Sequence, residues 1–299
     1  MKRLPTLLRV SALVLAVVAG AGAFGGAQAT TQARDPLTVM SFNIRYGTAS
    51  DGANHWNNRR GLLIEVVKDV NADAIGLQEA LDAQILEISD AVPGYGVVGV
   101  GRDDGKARGE YAAILYRTNR LHVSDSGTFW FSDTPSVVAS KSWGNTITRI
   151  CTWARFIDRD GRAFWHYNVH LDHQSQPSRE RSTTLLAQRI SERAALDEPA
   201  IVTGDFNVGE DNPAIATLLG ARAGGPPALF IDTFRARFPD EKMVGTFTGF
   251  VLTETNGPKI DYILAPAGTD VLDAAIVRTN RDGRYPSDHF PVTARIRLR

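Results

Sequence analysis

The chain is constrained most by a recurring arrangement: apolar, strand-like runs that stop at a polar or ionisable residue. The clearest is Ile201-Val202-Thr203-Gly204-Asp205-Phe206-Asn207. Ile201, Val202 and Thr203 are β-branched and favour a strand. Gly204 lets the backbone bend or approach another group. Asp205 and Asn207 are two residues apart, so in extended chain they face the same side. A carboxylate there can take a proton from water or bind a metal, and a carboxamide can hold an attacked oxygen without adding charge. The ordinary alternative is a strand running into an Asx turn.

The same punctuation recurs along the chain. Leu37 to Asn43 reads as a strand ending at Asn43, with Ile44, Arg45 and Tyr46 closing it. Ala74 to Leu77 is a short buried strand that delivers Gln78-Glu79. The run from Ala163 to Val169 ends at His170-Leu171-Asp172-His173. Asp261 lies inside Ile260 to Leu264, and Asp288-His289 precedes the alternating run Phe290 to Leu298. Taken singly, Asn43 closes a turn, Glu79 is a solvated helix-start residue, and His170 or His289 is a satisfied structural histidine. Taken together, they imply that strand ends meet at one edge. Gathering so many ionisable groups costs desolvation and repulsion unless a cation or a function offsets it.

Strand-like runs also span Val97 to Val100, Tyr111 to Tyr116 and Ala274 to Val277, with a hairpin from Thr148 to Val169 turning at Asp158 to Gly161. Helical spacing marks Trp56 to Val70, Ala83 to Ala91, Ser178 to Ala195 and Asn212 to Leu219. Ser178 is the expected N-cap of the third, with Leu185, Leu186 and Ile190 inward. Arg102 to Gly109 and Thr134 to Asn145 read as exposed loops, and Gly224 to Pro227 as a surface break. Strands outnumber helices, with helices interspersed. That mixture predicts sheets packed on each other with helices outside.

Lys2, Arg3 and Arg9 precede the apolar stretch Ala12 to Ala19, and Ala27-Gln28-Ala29 follows. This is the layout of a secretory signal peptide over residues 1–29, with a linker at 30–36 and one domain from 37 to 299. An uncleaved anchor is the alternative, although the apolar run is short for a span. Without the leader, 30 basic residues face 33 acidic ones, a formal charge of −3. That balance carries no footprint for tight polyanion binding. Cys151 is the only cysteine, so no internal disulfide forms, and its apolar surroundings make it inert core.

Adjacent residues in extended chain point apart, so Asp288 is a poor partner for His289. Asp261, from another strand, is the better candidate to charge that imidazole, which would then donate to phosphate oxygens. Glu79 with Asn43 supplies oxygen ligands, to which Asp288 adds. All-oxygen ligation suits Mg²⁺ or Mn²⁺ rather than a closed zinc site.

These residues resemble the endonuclease/exonuclease/phosphatase (DNase I-like) superfamily, in a bacterial, often secreted branch. The matching motifs are Ser41-Phe42-Asn43-Ile44-Arg45, Leu77-Gln78-Glu79, Asn168-Val169-His170-Leu171-Asp172-His173, Gly204-Asp205-Phe206-Asn207, Ile260-Asp261-Tyr262 and Ser287-Asp288-His289-Phe290-Pro291-Val292. They occur in family order over nearly the whole chain after the leader. The resemblance implies an α/β fold, a four-layered sandwich of two packed mixed β-sheets flanked by helices. It implies phosphoester hydrolysis with one or two Mg²⁺-like ions. By the family pattern Glu79 binds metal beside Asn43, and Asp288 sits near the metal and leaving group. Asp205 aligns or deprotonates the attacking water, Asn207 positions it, His289 with Asp261 stabilises the phosphoryl oxygens, and His170 contacts the phosphate. Arg45, Arg149 and His173 are candidate substrate contacts. The expected substrate is a phosphorylated small molecule, with a secreted nuclease acting on DNA or RNA as the alternative. A catalytically silent binding protein on this fold is a third reading. No stable membrane insertion and no protein partner are inferred.

Overall fold

Alternation along the central strands separates the molecule into layers. In the strand β1 (Leu37–Asn43), Val39 faces one buried cluster and Met40 and Phe42 face another. The same parity governs β8 (Ala200–Asp205), where Ile201 and Val202 enter different clusters. A strand buried on both faces must be covered twice. The described residues are Met1, 34–220, 228–251 and 256–299 of this computed structural model, and they form twelve strands and five α-helices. The expected leader, most of the linker and the Gly224 to Pro227 break lie outside the described residues. The remainder, from Ala33 to Arg299, is one compact unit.

Two six-stranded mixed sheets result. The first runs β11 (Asp270–Ile276), β12 (Val292–Arg297), β1, β2 (Ala74–Gln78), β4 (Ile114–Arg117), β3 (Tyr95–Val98). The second runs β5 (Leu121–Trp130), β6 (Ile150–Asp158), β7 (Ala163–His170), β8, β10 (Asp261–Pro266), β9 (Phe230–Asp232). Helices α1 (Trp56–Val70) and α2 (Asp82–Ala91) cover the first sheet through Leu63, Val66, Val67, Ile85 and Ile88. Helices α3 (Gln176–Ser191) and α4 (Pro213–Leu219) cover the second through Leu186, Ile190, Ile215 and Leu218. Between the sheets lie Val39, Ala74, Ile114, Phe156, Phe164, Ile201 and Ile263. The order helix, sheet, sheet, helix is the four-layered sandwich expected from the sequence.

Strand direction explains why the polar ends converge. β1 is parallel to β2, with Asn43 opposite Gln78. β7 is parallel to β8, with His170 opposite Asp205. These four strands end in polar residues, pair by pair, at a common edge. β10 is antiparallel to β8 and therefore starts there, placing Asp261 opposite Asp205. β12 is antiparallel to β1, so the Asp288-His289 pair just before it arrives at the same edge.

The two sheets also meet through polar side chains. A Cβ on Gly76 would lie 2.1 Å from Thr203 Oγ1 and 2.4 Å from Asn168 Oδ1, so only glycine admits this approach. The buried Asn168 accepts from Gln78 Nε2 at 2.7 Å and Thr203 Oγ1 at 3.0 Å. It donates to the Leu77 and Ala113 carbonyls at 2.8 and 2.9 Å. A buried amide with all four bonds made fixes register without leaving a desolvated orphan.

Three local expectations change. The helix α3 begins at Gln176, and Ser175, not Ser178, is its cap, accepting from Ser178 N at 3.2 Å. Pro177 suits that first turn, which moves the cap upstream. Leu185 is only half-buried, packed against the cluster that encloses Leu186 and Ile190. The ten-residue strand β5 has no counterpart in the sequence reading, because it is a polar edge strand with one exposed face and a bulge after Val123. Among the described residues no helix is long and apolar enough to cross a membrane.

Candidate active site

Three of the hooks pass through a backbone conformation that L-residues seldom adopt. Arg45, Glu79 and Asn207 have φ of 54°, 58° and 53°, all left-handed. Each costs on the order of 1 kcal/mol and persists where the surroundings impose it. Local bonds do this here. Asn207 N donates to Asp205 Oδ1 at 2.8 Å and its Nδ2 to the Leu171 carbonyl at 3.1 Å. The buried Arg59 guanidinium donates to the carbonyls of Ile44, Arg45 and Pro286 at 2.7, 2.8 and 2.9 Å, tying the loops after β1 and before β12. Burial lowers its pKa to about 10.

Asp205 is the centre. Its Oδ2 accepts from Asn43 Nδ2 at 2.9 Å and lies 3.6 Å from His170 Nε2 and 3.8 Å from His289 Nε2. His289 Nδ1 donates to Asp261 Oδ2 at 2.9 Å. The pairing of Asp261 with His289, rather than Asp288 with His289, is thus the one present. Burial and the neighbouring Asp261 push the Asp205 carboxyl up to about 7. Burial works against the His289 imidazolium, but Asp261, Asp205 and Asp288 together hold its pKa well above the usual value. His170 is the opposite case: burial and then Arg149 and Arg102 depress it, so it stands as a neutral ring. One imidazole is charged and one is not, on either side of one carboxylate.

Asn43 was expected to offer oxygen beside Glu79. Its amide nitrogen instead bridges the carboxylates, donating to Glu79 Oε1 at 3.1 Å as well as to Asp205, while its Oδ1 accepts from Arg45 N at 3.0 Å. The left-handed Arg45 turns its N–H back onto that oxygen, which sets the amide's orientation. Glu79 Oε2 and Asp288 Oδ2 lie 4.0 and 3.8 Å from the Arg45 guanidinium, which is doubly bonded to Asp51 at 3.0 and 2.9 Å. Burial and Glu79 raise the Asp288 carboxyl despite His289 and Arg45.

Across the cavity, Arg149 is buried, with Nη2 2.8 Å from His173 Nδ1 and Nε 3.5 Å from Asp172 Oδ2. Arg102, at the start of the loop expected to be exposed, is instead buried and doubly bonded to Glu110 at 2.7 Å. Glu110 in turn lies 3.8 Å from His170 Nδ1. The strand-end pattern points to neither Glu110 nor Asp51, since neither ends a strand. The eight-residue spacing of Arg102 and Glu110 across a glycine-rich loop was the available signal for a tied loop. Arg102, Glu110, Arg149, His173 and Asp51 line a cavity of about 730 Å³ with Asp205, His170 and His289, and Phe247, Phe250 and Ile260 close another side.

A divalent cation fits this donor set. Asp205, Asp261 and His289 each bring a ligand atom within 4.8 Å of the others. Asp261 is bonded to His289, however, and Asp205 lies 3.8 Å from the other nitrogen of that ring, so the three read as a proton-handling group. Glu79 and Asp288 are the carboxylates whose chemistry suits a hard ion. Burial raises the Asp205, Asp288 and Glu110 carboxyls by disfavouring their charged forms, a cost that a divalent ion held nearby would offset.

A charged imidazole, a neutral imidazole and a buried acid, facing arginines on a layered α/β frame, suit a hydrolase of phosphoester bonds. The Endonuclease/Exonuclease/phosphatase family model matches residues 40–289, and the chain belongs to that family. Its members are phosphoester hydrolases and generally depend on a divalent metal. The chain is similar to the mannosyl-6-phosphatase of Bacteroides thetaiotaomicron VPI-5482, with 32% identity, a TM-score of 0.79, and 88% of this chain and 100% of that one covered. A family protein from Bacteroides vulgatus gives the same identity and TM-score over 89% and 100%. Uncharacterized protein L388 of Acanthamoeba polyphaga mimivirus is 32% identical over 181 residues, 57% of this chain and 67% of that protein.

Proposed function

We propose that the protein is a secreted, Mg²⁺- or Mn²⁺-dependent phosphoesterase acting on a small phosphate ester. The observation that carries this reading is Asp205: a carboxylate of pKa about 7, bonded to Asn43 and flanked by His170 and His289 on one cavity. A base poised near neutrality is suited to take a proton from water. Asn207, locked to Asp205 and Leu171, fixes the turn that aims it. The His289 imidazolium, oriented by Asp261, donates to the phosphoryl oxygens as charge builds. His170, neutral, donates beside it without repelling that imidazolium. Arg149 and His173 receive the ester's remaining anionic oxygens, and Arg45 lies at the opposite end. Glu79 and Asp288 hold the metal, with Asn43 keeping Glu79 and Asp205 apart. The bound ion supplies charge neutralisation at the phosphate and leaving oxygen.

The likeness to a mannosyl-6-phosphatase supports a sugar phosphate as the kind of ester. The leader pattern at residues 1–29 supports export, and the exported protein would begin near Thr30. The test is phosphate release from sugar phosphates, nucleotides, phospholipids and nucleic acids with Mg²⁺, using Asp205→Asn as the blank. Release from sugar phosphates above that blank supports the reading. Cleavage of nucleic acid alone would replace it with the nuclease reading.

A further inference from the structure

One wall of the cavity has no part in the chemistry above, and it is apolar. Phe247 is 47% exposed, an unusual state for a large aromatic ring. Its position is fixed by the backbone: Phe247 forms an isolated antiparallel bridge with His289, and the two rings meet edge-on with centroids 5.0 Å apart. The next turn is strained. Gly249 and Phe250 are both left-handed, with φ of 56° and 66°, and for a bulky residue such as Phe250 that is a true outlier. Thr248 holds the turn, donating to the Asp288 carbonyl through N at 2.7 Å and Oγ1 at 3.0 Å. Phe250 N donates to Thr248 Oγ1 at 3.1 Å. Phe247 and Phe250 both line the cavity, whose other walls carry Arg102, Arg149 and His173. The fold thus rigidly presents aromatic surface to solvent beside the imidazole that faces the phosphate.

We propose that Phe247, on the same cavity wall as Phe250, forms a stacking lip that selects phosphate esters whose leaving group is a ring with an apolar face. The proposal rests on the phosphoesterase reading and deepens it. A phosphate drawn to the cationic wall and His289 leaves its ester substituent beside Phe247. A pyranose presents a face of C–H bonds and a nucleoside presents a base, and either covers an exposed aromatic ring. An acyclic ester offers no such face and gains nothing from the lip.

The test compares mannose 6-phosphate, a nucleoside 5′-monophosphate and glycerol 3-phosphate under saturating Mg²⁺, in the unaltered protein, Phe247→Ala and Phe247→Trp. Because Phe247 is half exposed, the variants fold, which thermal melting checks. The expected result is that Phe247→Ala raises KM for one or both ring-bearing esters by about tenfold. KM for glycerol 3-phosphate and kcat for all three stay within about twofold, and Phe247→Trp restores the ring preference. The two ring-bearing arms distinguish sugar from base. An equal change in KM for cyclic and acyclic esters overturns the lip while leaving the phosphoesterase intact. A preference for phospholipid vesicles, lost in Phe247→Ala, overturns it in favour of a lipid surface. Absence of phosphate release from every ester in the unaltered protein overturns the phosphoesterase reading itself, and the lip with it.

Discussion

Asp205 is a carboxyl kept in an environment that disfavours its charge, so function and stability oppose each other at that residue. Its folded pKa is raised to about 7. A raised acid contributes stability that is whole below the unfolded value near 4 and is lost as pH rises through 7. Asp205→Asn keeps the shape and removes the charge. At pH 8 it raises the melting temperature by roughly 5 °C, an order-of-magnitude figure from a gain of a few kcal/mol. At pH 4 the gain disappears, because both states then hold a neutral carboxyl. Turnover falls by at least about a thousandfold throughout. Melting curves at the two pH values, alongside phosphate release, decide it; an unchanged melting temperature at pH 8 means the carboxylate is not strained. Asp261→Asn tests the other half of the pair. The imidazolium of His289 loses its bonded anion, so its pKa falls. A group that works protonated then fails at lower pH, and the alkaline limb of the pH–rate profile moves down while kcat drops about a hundredfold. A limb that stays in place removes His289 from its role.

At the scale of elements, the strands that build the site are legible because each is buried on both faces and carries a polar residue at the end that meets the shared edge. Asn43, Glu79, His170, Asp205 and Asp261 could be read as one group before their partners were known. The parallel pairs β1–β2 and β7–β8 explain why: parallel neighbours end together. Pieces held by long-range bonds were not legible. Glu110 stands beside His170, held there by its paired hydrogen bonds to Arg102 across a loop, and Arg59 sits on a helix whose spacing announces only its apolar face. The strand β5 hides for the reason edge strands do, with polar residues where a central strand carries apolar ones. Gly76 gives an element-scale prediction. A methyl there meets Thr203 and Asn168 well inside contact distance, so Gly76→Ala must part the sheets or break the Asn168 bonds. Loss of about 2 to 4 kcal/mol of stability is expected, with kcat falling as the two sheet edges separate. Denaturant unfolding measures it, and a loss under 1 kcal/mol would show that the sheets yield at no cost.

At the scale of the whole molecule, two sheets each bring acids to a shared edge. Sheet one supplies Glu79 and sheet two Asp205 and Asp261, with Asp288 arriving before β12. The fold therefore concentrates negative charge along the seam between its halves, and a cation bound there joins them. A ligand that binds only the folded state stabilises by mass action, about 2.7 kcal/mol at one hundred times its dissociation constant. For a domain of this size that is roughly 5 to 10 °C in melting temperature. Asp205→Asn is the form to use, because it retains Glu79 and Asp288 yet turns nothing over, which separates binding from catalysis. Adding Mg²⁺ after EDTA treatment raises its melting temperature, and the same addition restores turnover to the unaltered protein. Glu79→Gln in the same background abolishes the rise, since a carboxamide is a poor ligand for a hard divalent ion. A rise that survives Glu79→Gln moves the ion to another set of carboxylates. No rise at any concentration, with turnover intact in EDTA, would show that Arg45 and His289 carry the charge of the transition state unaided.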